Sequence, residues 1–264
     1  MAVATLDIAL WDAKGKTLGQ PLYRLLGGHQ DRVQAYASDA LWYSLSLDDL
    51  VLSAQSHVAQ GYNMMKLRLG HEARPEDEVA RVRAVQEAVG PEVSIMVDAT
   101  ERWNQSQAVA AGRMLQEAGI TWLEDPVSHQ DVSGLAHLRR TLEVPIAAGE
   151  HLFGLEPFQS TFDAGAVDIA IIDLSRVGGI TPWMKVAAMA QARGIPVAGH
   201  VIPEVHVHLL AAVPNGHLVE YMPRSEPIFK TRLQLENGHL LAPQEPGLGV
   251  ELDEEACERF RVQQ

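Results

Sequence analysis

Cysteine is all but absent. Cys257 stands alone among 264 residues, so no disulfide can form within the chain. That excludes a small secreted scaffold held by cross-links and suits a reducing cytoplasm. Long apolar runs are missing as well: no stretch approaches the ~18–20 residues that span a bilayer. The N-terminus has no basic leader region, and Asp7 interrupts its short apolar stretch. A cytoplasmic protein with no membrane partner is therefore expected. Positive charge is scarce, with 21 Lys and Arg against 34 Asp and Glu and a net charge of −13. This balance excludes nucleic acid as a partner. It does not exclude an anionic small molecule, because cations and a metal gathered in one pocket can reverse the field locally. What is present, 47% hydrophobic and 21% charged residues, is enough for one large soluble core.

Three acidic residues close three apolar runs. Asp98 follows Val93 to Val97, Glu124 follows Ile120 to Leu123, and Glu150 follows Val144 to Gly149. The steps from Asp98 to Glu124 and from Glu124 to Glu150 are equal, 26 residues each, roughly one strand–helix unit. A parallel barrel puts all such strand ends on one face. Three carboxylates gathered there repel one another unless a cation neutralises them, and oxygen ligands point to a hard divalent ion, Mg²⁺ above all. The plainer alternative, that each acid only caps the next helix, accounts poorly for three in register. The rhythm also continues. Asp173 ends Val167 to Ile172, His200 ends Ile195 to Gly199, Glu220 ends His217 to Val219, and Lys66 and Arg68 end Tyr62 to Met65. Core packing does not demand an ionisable group at the same point of seven successive units. An active site at the mouth of a barrel does.

The length fits one (β/α)₈ barrel of the TIM type. A helix over residues 2–13, with Leu6, Ala9, Leu10 and Ala13 on one face, precedes it. Val33 to Ser38 is the first predicted strand and Leu47 to Gln60 the first barrel helix. Further helices are expected over 76–89, 105–118, 132–141, 157–164, 181–192 and 204–212. The strands are short and apolar on both sides, as buried parallel strands should be. After Glu220 the rhythm stops; residues 223–249 hold no amphipathic helix and are crowded with prolines and glycines, so an ordered tail replaces the last helix. The chain thus divides into an entry segment (1–28), the barrel (29–221) and the tail (222–264).

With these residues placed, nearly the whole chain resembles the enolase superfamily, in its mandelate racemase/muconate lactonizing enzyme-like branch. The resemblance rests on Leu-Asp-Ile-Ala-Leu-Trp-Asp-Ala-Lys-Gly-Lys at 6–16, Pro-Leu-Tyr-Arg-Leu-Leu-Gly-Gly at 21–28 and Lys66-x-Arg68. It rests equally on Val97-Asp98-Ala99, Trp122-Leu123-Glu124-Asp125-Pro126, Ala148-Gly149-Glu150, Asp173 with Gly178-Gly179-Ile180-Thr181, and His200. The resemblance implies Mg²⁺-assisted removal of the proton α to a substrate carboxylate, giving an enediolate that goes on to elimination, racemisation or cycloisomerisation. It implies Asp98, Glu124 and Glu150 as ligands of one Mg²⁺. It implies Asp173 and His200 as a base dyad, Glu220 as the acid that hydrogen-bonds the substrate carboxylate, and Lys66 as the cation offsetting the enediolate charge.

Two departures shape the expectation. The second position of the family's two-lysine motif, often a base, is Arg68 here, and a guanidinium stays protonated. A clear base then exists only on the His200 side, which favours dehydration of a sugar acid or related α-hydroxy acid to a 2-keto-3-deoxy acid. Racemase, epimerase or cycloisomerase chemistry is the alternative within the class. Family members also carry an N-terminal α+β cap, and this sequence begins at the helix that follows it. Most of the cap is expected to be missing, with its C-terminal portion, about 222–264, present. Uncovered apolar surface would then favour a homo-oligomer. A truncated, non-catalytic barrel serving as a binding or assembly subunit is the reading from another class. Around the mouth, Asp39, Trp42 and Tyr43 are candidates to line the pocket. Arg102, Asn104 and Arg176 either touch substrate or serve their loops. His151 stands beside Glu150, and Glu204 is read as a helix N-terminal charge.

Overall fold

The computed structural model describes residues 1–261; the last three residues of the tail, 262–264, lie outside the described residues. Two helices come first, α1 (Ala2–Leu18) and α2 (Leu22–Leu26). Strands and helices then alternate: β1 (Arg32–Ala37), α3 (Leu47–Ala59), β2 (Met64–Arg68), α4 (Pro75–Val89), β3 (Ser94–Asp98), α5 (Gln105–Glu117), β4 (Leu123–Glu124), α6 (Val132–Thr141), β5 (Ile146–Ala148) and α7 (Glu156–Asp163). They continue through β6 (Ile169–Asp173), α8 (Leu174–Val177), α9 (Ile180–Gln191), β7 (Val197–His200), α10 (Pro203–Ala212) and β8 (Gly216–Tyr221). The tail holds a hairpin of β9 (Leu235–Glu236) and β10 (His239–Leu241), then α11 (Glu254–Arg259). The eight parallel strands close into a barrel, with β1 pairing both β8 and β2. No helix among the described residues is long and apolar enough to cross a membrane.

Period-two alternation builds the interior. Tyr36, Met96, Trp122, Ile171, Ala198 and Leu218 form a buried layer inside the barrel. Two residues further along the same strands come Ser38, Asp98, Glu124, Asp173, His200 and Glu220. Residues i and i+2 share a face, so the apolar filling and the polar mouth are successive layers. Register aligns them across strands: Arg68 pairs Asp98, Asp98 pairs Glu124, and Asp173 pairs His200. β5 breaks the parity: Ala147 lies in the apolar layer, Gly149 is two residues on, and Glu150 is three. Gly149, at φ 132°, makes the adjustment. A Cβ there would lie 2.6 Å from the Ile171 carbonyl oxygen, so only glycine serves.

The seam between β1 and β2 is narrow, with Ala37 opposite Met65 as its parallel pair. The tail fills the gap below: β10 pairs antiparallel with β1, from Arg32 opposite Leu241 to Gln34 opposite His239. The tail is also bound to the entry segment, where the Leu248 N–H donates to Asp12 at 2.9 Å.

α1 corrects the sequence reading. Leu6 and Leu10, on the predicted apolar face, are 67% and 71% exposed, while Ala4 and Gly15 are buried with Ile8 and Trp11 beside them. Polar contacts decide the orientation. Asp7 accepts from the Thr181 backbone N–H at 2.9 Å and from its hydroxyl at 2.7 Å, and the Trp11 indole donates to the same hydroxyl at 2.9 Å. The helix is thus fastened over the α8–α9 turn by its charged side.

α10 is buried on every side, because α2 and the tail cover its outer face. Its three polar side chains each find a partner. Glu204 stands in the first turn of α10, the place of a helix N-terminal charge; it is buried and accepts from the Ser225 hydroxyl at 2.7 Å. His208 Nδ1 accepts from the Tyr23 N–H at 3.3 Å, and Nε2 donates to the Leu248 carbonyl at 2.9 Å. Burial pulls the His208 imidazole down from 6.5 to about 4, with the Leu248 hydrogen bond opposing. Its folded pKa lies below its unfolded one, so the stability it contributes is complete above pH 6.5 and is lost as pH falls through about 4. The loss expected is about 3 kcal/mol. Urea unfolding at pH 7 and pH 4.5 should show a smaller acid destabilisation in His208→Gln than in wild type; identical pH dependence would exclude this role.

Candidate active site

The mouth of the barrel is organised around one lysine. Lys66 is fully buried, and its Nζ lies 2.5 Å from Glu124 Oε1, 3.2 Å from Glu220 Oε1 and 3.7 Å from Asp98 Oδ2. Burial works against its charge, but Glu124 and Glu220 outweigh this and hold its pKa well above the ordinary value. Glu124, also fully buried, receives the Trp122 indole N–H at 3.0 Å on its other oxygen. Burial, and then the neighbouring acids against the opposing Lys66, push the Glu124 carboxyl up to about 8.

Asp98, Glu124 and Glu150 each offer a carboxylate oxygen, and the three lie within 4.8 Å of one another. The fold thus brings the three strand-end acids together. One lysine cannot neutralise three acids, and an all-oxygen donor set of this size suits a hard divalent cation. Asp98 is preset for it: Oδ1 accepts from the Thr100 N–H at 2.7 Å, which fixes the carboxylate plane.

His200 Nδ1 meets Asp173 Oδ2 at 2.7 Å, and Asp173 Oδ1 accepts from the Arg176 N–H at 2.7 Å. Nε2 therefore faces the mouth, 3.2 Å from Glu150 Oε2. Burial opposes the imidazolium, yet the Asp173 hydrogen bond and the Glu150 and Glu220 charges hold the ring up at about 9. A cation among the carboxylates weakens the Glu150 contribution.

Arg68 and Glu220 are locked to the protein. Arg68 Nη1 donates to the Ser38 carbonyl and hydroxyl at 2.7 and 2.9 Å, Nη2 lies 3.3 Å from Glu220, and the Trp42 ring covers the guanidinium at 4.1 Å. Glu220 Oε1 accepts from the Ser38 hydroxyl at 2.6 Å, and Oε2 from the Val201 N–H at 2.9 Å. Although burial raises its pKa, Lys66, His200 and Arg68 reverse the sign and keep it well below the carboxylate range. An ionised Glu220 with both oxygens engaged accepts from protein donors.

The loop candidates separate. Trp42 borders the site through Arg68, whereas Tyr43 stacks on His71 at 3.4 Å and the Asp39 carbonyl contacts His57 at 2.8 Å. Asn104 caps α5, its side chain accepting from the Gln107 N–H at 3.0 Å. Arg102 meets His71 at 2.8 Å, and Arg176 donates to the Glu150 carbonyl at 2.9 Å. His151 does approach the acids, 3.4 Å from Glu150 Oε1 and 3.6 Å from Asp125 Oδ2. Sequence reasoning missed Asp125, which is 2% exposed, and Ser38, which joins Arg68 to Glu220. Asp125 had a signal, an acid immediately after a strand-end acid. Ser38 had none.

Comparison with known proteins agrees with this geometry. The enolase C-terminal domain-like family model matches residues 49–256, and the mandelate racemase/muconate lactonizing enzyme N-terminal domain model matches residues 1–27. The chain belongs to the enolase superfamily, in its mandelate racemase/muconate lactonizing enzyme-like branch. Among its relatives, it is 36% identical to the L-talarate/galactarate dehydratase of Salmonella typhimurium, over 97% of this chain and 64% of that protein. It is 35% identical to the 3,6-anhydro-α-L-galactonate cycloisomerase of Streptomyces coelicolor, over 99% and 72%. The structure of an L-talarate dehydratase from a Polaromonas species, complexed with Mg and L-glucarate, superposes with a TM-score of 0.94 at 34% identity, covering 99% of this chain and 73% of that one. The chain thus spans about two thirds of the length of these relatives.

Truncating Lys66 tests the charge balance. Lys66→Met should destabilise the metal-free protein by about 3–5 kcal/mol, because it leaves the buried Glu124 without its counter-charge. Adding Glu124→Gln should recover part of that loss. A single-variant effect under about 1 kcal/mol in urea unfolding would show that Lys66 is not what balances Glu124.

Proposed function

We propose that this site removes the α-proton of a sugar-acid carboxylate and expels the β-hydroxyl as water, leaving a 2-keto-3-deoxy acid. The observation that carries the reading is the His200–Asp173 pair set against the carboxylate cluster. His200 Nε2 opens on the carboxylate cluster while Asp173 holds Nδ1 at 2.7 Å. Asp98, Glu124 and Glu150 would hold one Mg²⁺, which supplies Lewis-acid stabilisation of charge on the substrate carboxyl. The relatives' dehydratase activities support the same choice.

Each residue has a part. His200 takes the C2 proton on Nε2, and Asp173 orients the ring and stabilises the imidazolium formed. The electron pair moves into a C2–C3 double bond as the C3–O bond breaks, and the hydroxyl leaves as water with the proton from Nε2. The enol then tautomerises to the ketone. Lys66 stabilises the charge that grows on the carboxyl, and a well-placed donor of this kind is worth roughly 3–4 kcal/mol. Glu220 and Ser38 keep Arg68 and Lys66 aimed at the mouth.

A racemase needs a proton acceptor on the opposite face. Arg68 occupies the motif position for one, but its guanidinium is pinned by Ser38, Glu220 and Trp42 and remains a cation. That favours elimination over racemisation. The cycloisomerase among the relatives marks the alternative outcome of the same first step.

A library of sugar acids assayed with Mg²⁺ for 2-keto-3-deoxy products should yield at least one substrate. His200→Asn should lower its turnover by about 10²–10⁴-fold. In D₂O, one α-configuration alone should exchange. Equal exchange of both configurations would replace this reading with a racemase.

A further inference from the structure

The peptide that follows His200 is strained. Val201 and Ile202 have φ of 48° and 46°, and both are β-branched. Such residues seldom adopt a left-handed backbone, which costs about 1–3 kcal/mol each unless the surroundings impose it. Two side chains impose it here. Glu220 Oε2 accepts from the Val201 N–H at 2.9 Å, and His206 Nδ1 lies 2.6 Å from the Val201 carbonyl oxygen. The peptide units beside His200 are thus pinned at both ends.

His206 does more than close the turn. Its Nε2 lies 3.1 Å from the carbonyl oxygen of Ile172, the residue before Asp173. In the barrel register, Ile172 pairs Gly199 and Asp173 pairs His200. One fully buried ring therefore touches the strand end that carries Asp173 and the turn that carries His200. Both contacts are hydrogen bonds only when both ring nitrogens bear protons; a neutral ring keeps one, and the shorter contact, to Val201, is the one it keeps. Gly199 makes room: a Cβ there would stand 2.5 Å from His206 Cγ. Trp183 closes the other side, its ring centre 6.1 Å away.

We propose that His206 is a positioning residue: it holds the Val201–Ile202 turn through the Val201 carbonyl and packs its ring against the end of β6, so that His200 Nδ1 meets Asp173. The inference rests on the proton-abstraction reading only for its kinetic consequence. The alignment of the dyad is a property of the substrate-free protein.

The experiment has two arms. In substrate-free protein, NMR should show a low-field Nδ1 proton of His200 shared with Asp173. His206→Leu should remove or broaden it, while circular dichroism and Mg²⁺ affinity stay within about twofold of wild type. Gly199→Ala, which displaces the ring without removing it, should do the same and serves if His206→Leu does not fold. His206→Gln, which can still donate to Val201, should restore part of the signal. In the kinetic arm, kcat on the sugar acid should fall about a hundredfold in His206→Leu with KM nearly unchanged, the scale expected for a small misplacement of a base. A folded His206→Leu or Gly199→Ala protein that keeps the low-field proton and the wild-type kcat overturns the inference. If no sugar acid turns over in wild type, the dehydratase reading fails and the NMR arm alone decides this one.

Discussion

Lys66 is the constraint on which the mouth depends. Closing the barrel brings Asp98, Glu124 and Glu220 to one place, and a buried cation touching all three makes that tolerable. The lysine alone leaves the balance short. Glu124 is driven up to about 8 by burial and its acidic neighbours, so the site has appetite for one more cation. The same electrostatics sets the other partners. Glu220 stays ionised because Lys66, Arg68 and His200 surround it, and it in turn holds the Val201 N–H beside His200.

The barrel supplies this arrangement through strand parity. The apolar layer of Tyr36, Met96, Trp122, Ile171, Ala198 and Leu218 fixes which residues face inward. The polar layer two residues on inherits the same direction. A one-residue slip in β3, β6 or β8 would exchange Asp98, Asp173 or Glu220 for an apolar residue, so packing enforces the chemistry there. Where β5 ends early, Gly149 restores the direction for Glu150. Where β7 ends, His200 keeps the parity and two strained residues follow it.

Much of this is legible in the order of the residues alone. Strand-end acids at equal spacing, and a histidine and an aspartate at the same point of later units, are local patterns with a fixed period. The helix limits follow for the same reason; α6 spans Val132–Thr141, as its periodicity predicts. What the residue order hides depends on contacts distant in sequence. The orientation of α1 is decided by Asp7 and Trp11 meeting Thr181, and apolar periodicity points to the opposite face. Ser38, the engagement of both Glu220 oxygens and the contact of His206 with the Val201 carbonyl have no spacing signature. The tail hairpin is unreadable because β9 and β10, at two and three residues, are too short to show alternation.

Asp98, Glu124 and Glu150 lie close enough to share one cation, and calorimetry with Mg²⁺ on chelator-treated protein tests most directly whether they do. One Mg²⁺ per chain should bind, with affinity reduced at least about tenfold by Glu124→Gln, and the triple alanine variant at Asp98, Glu124 and Glu150 should bind none. His200→Asn should bind as wild type does, since the imidazole is not a ligand. A triple variant that binds Mg²⁺ as tightly as wild type would contradict the account.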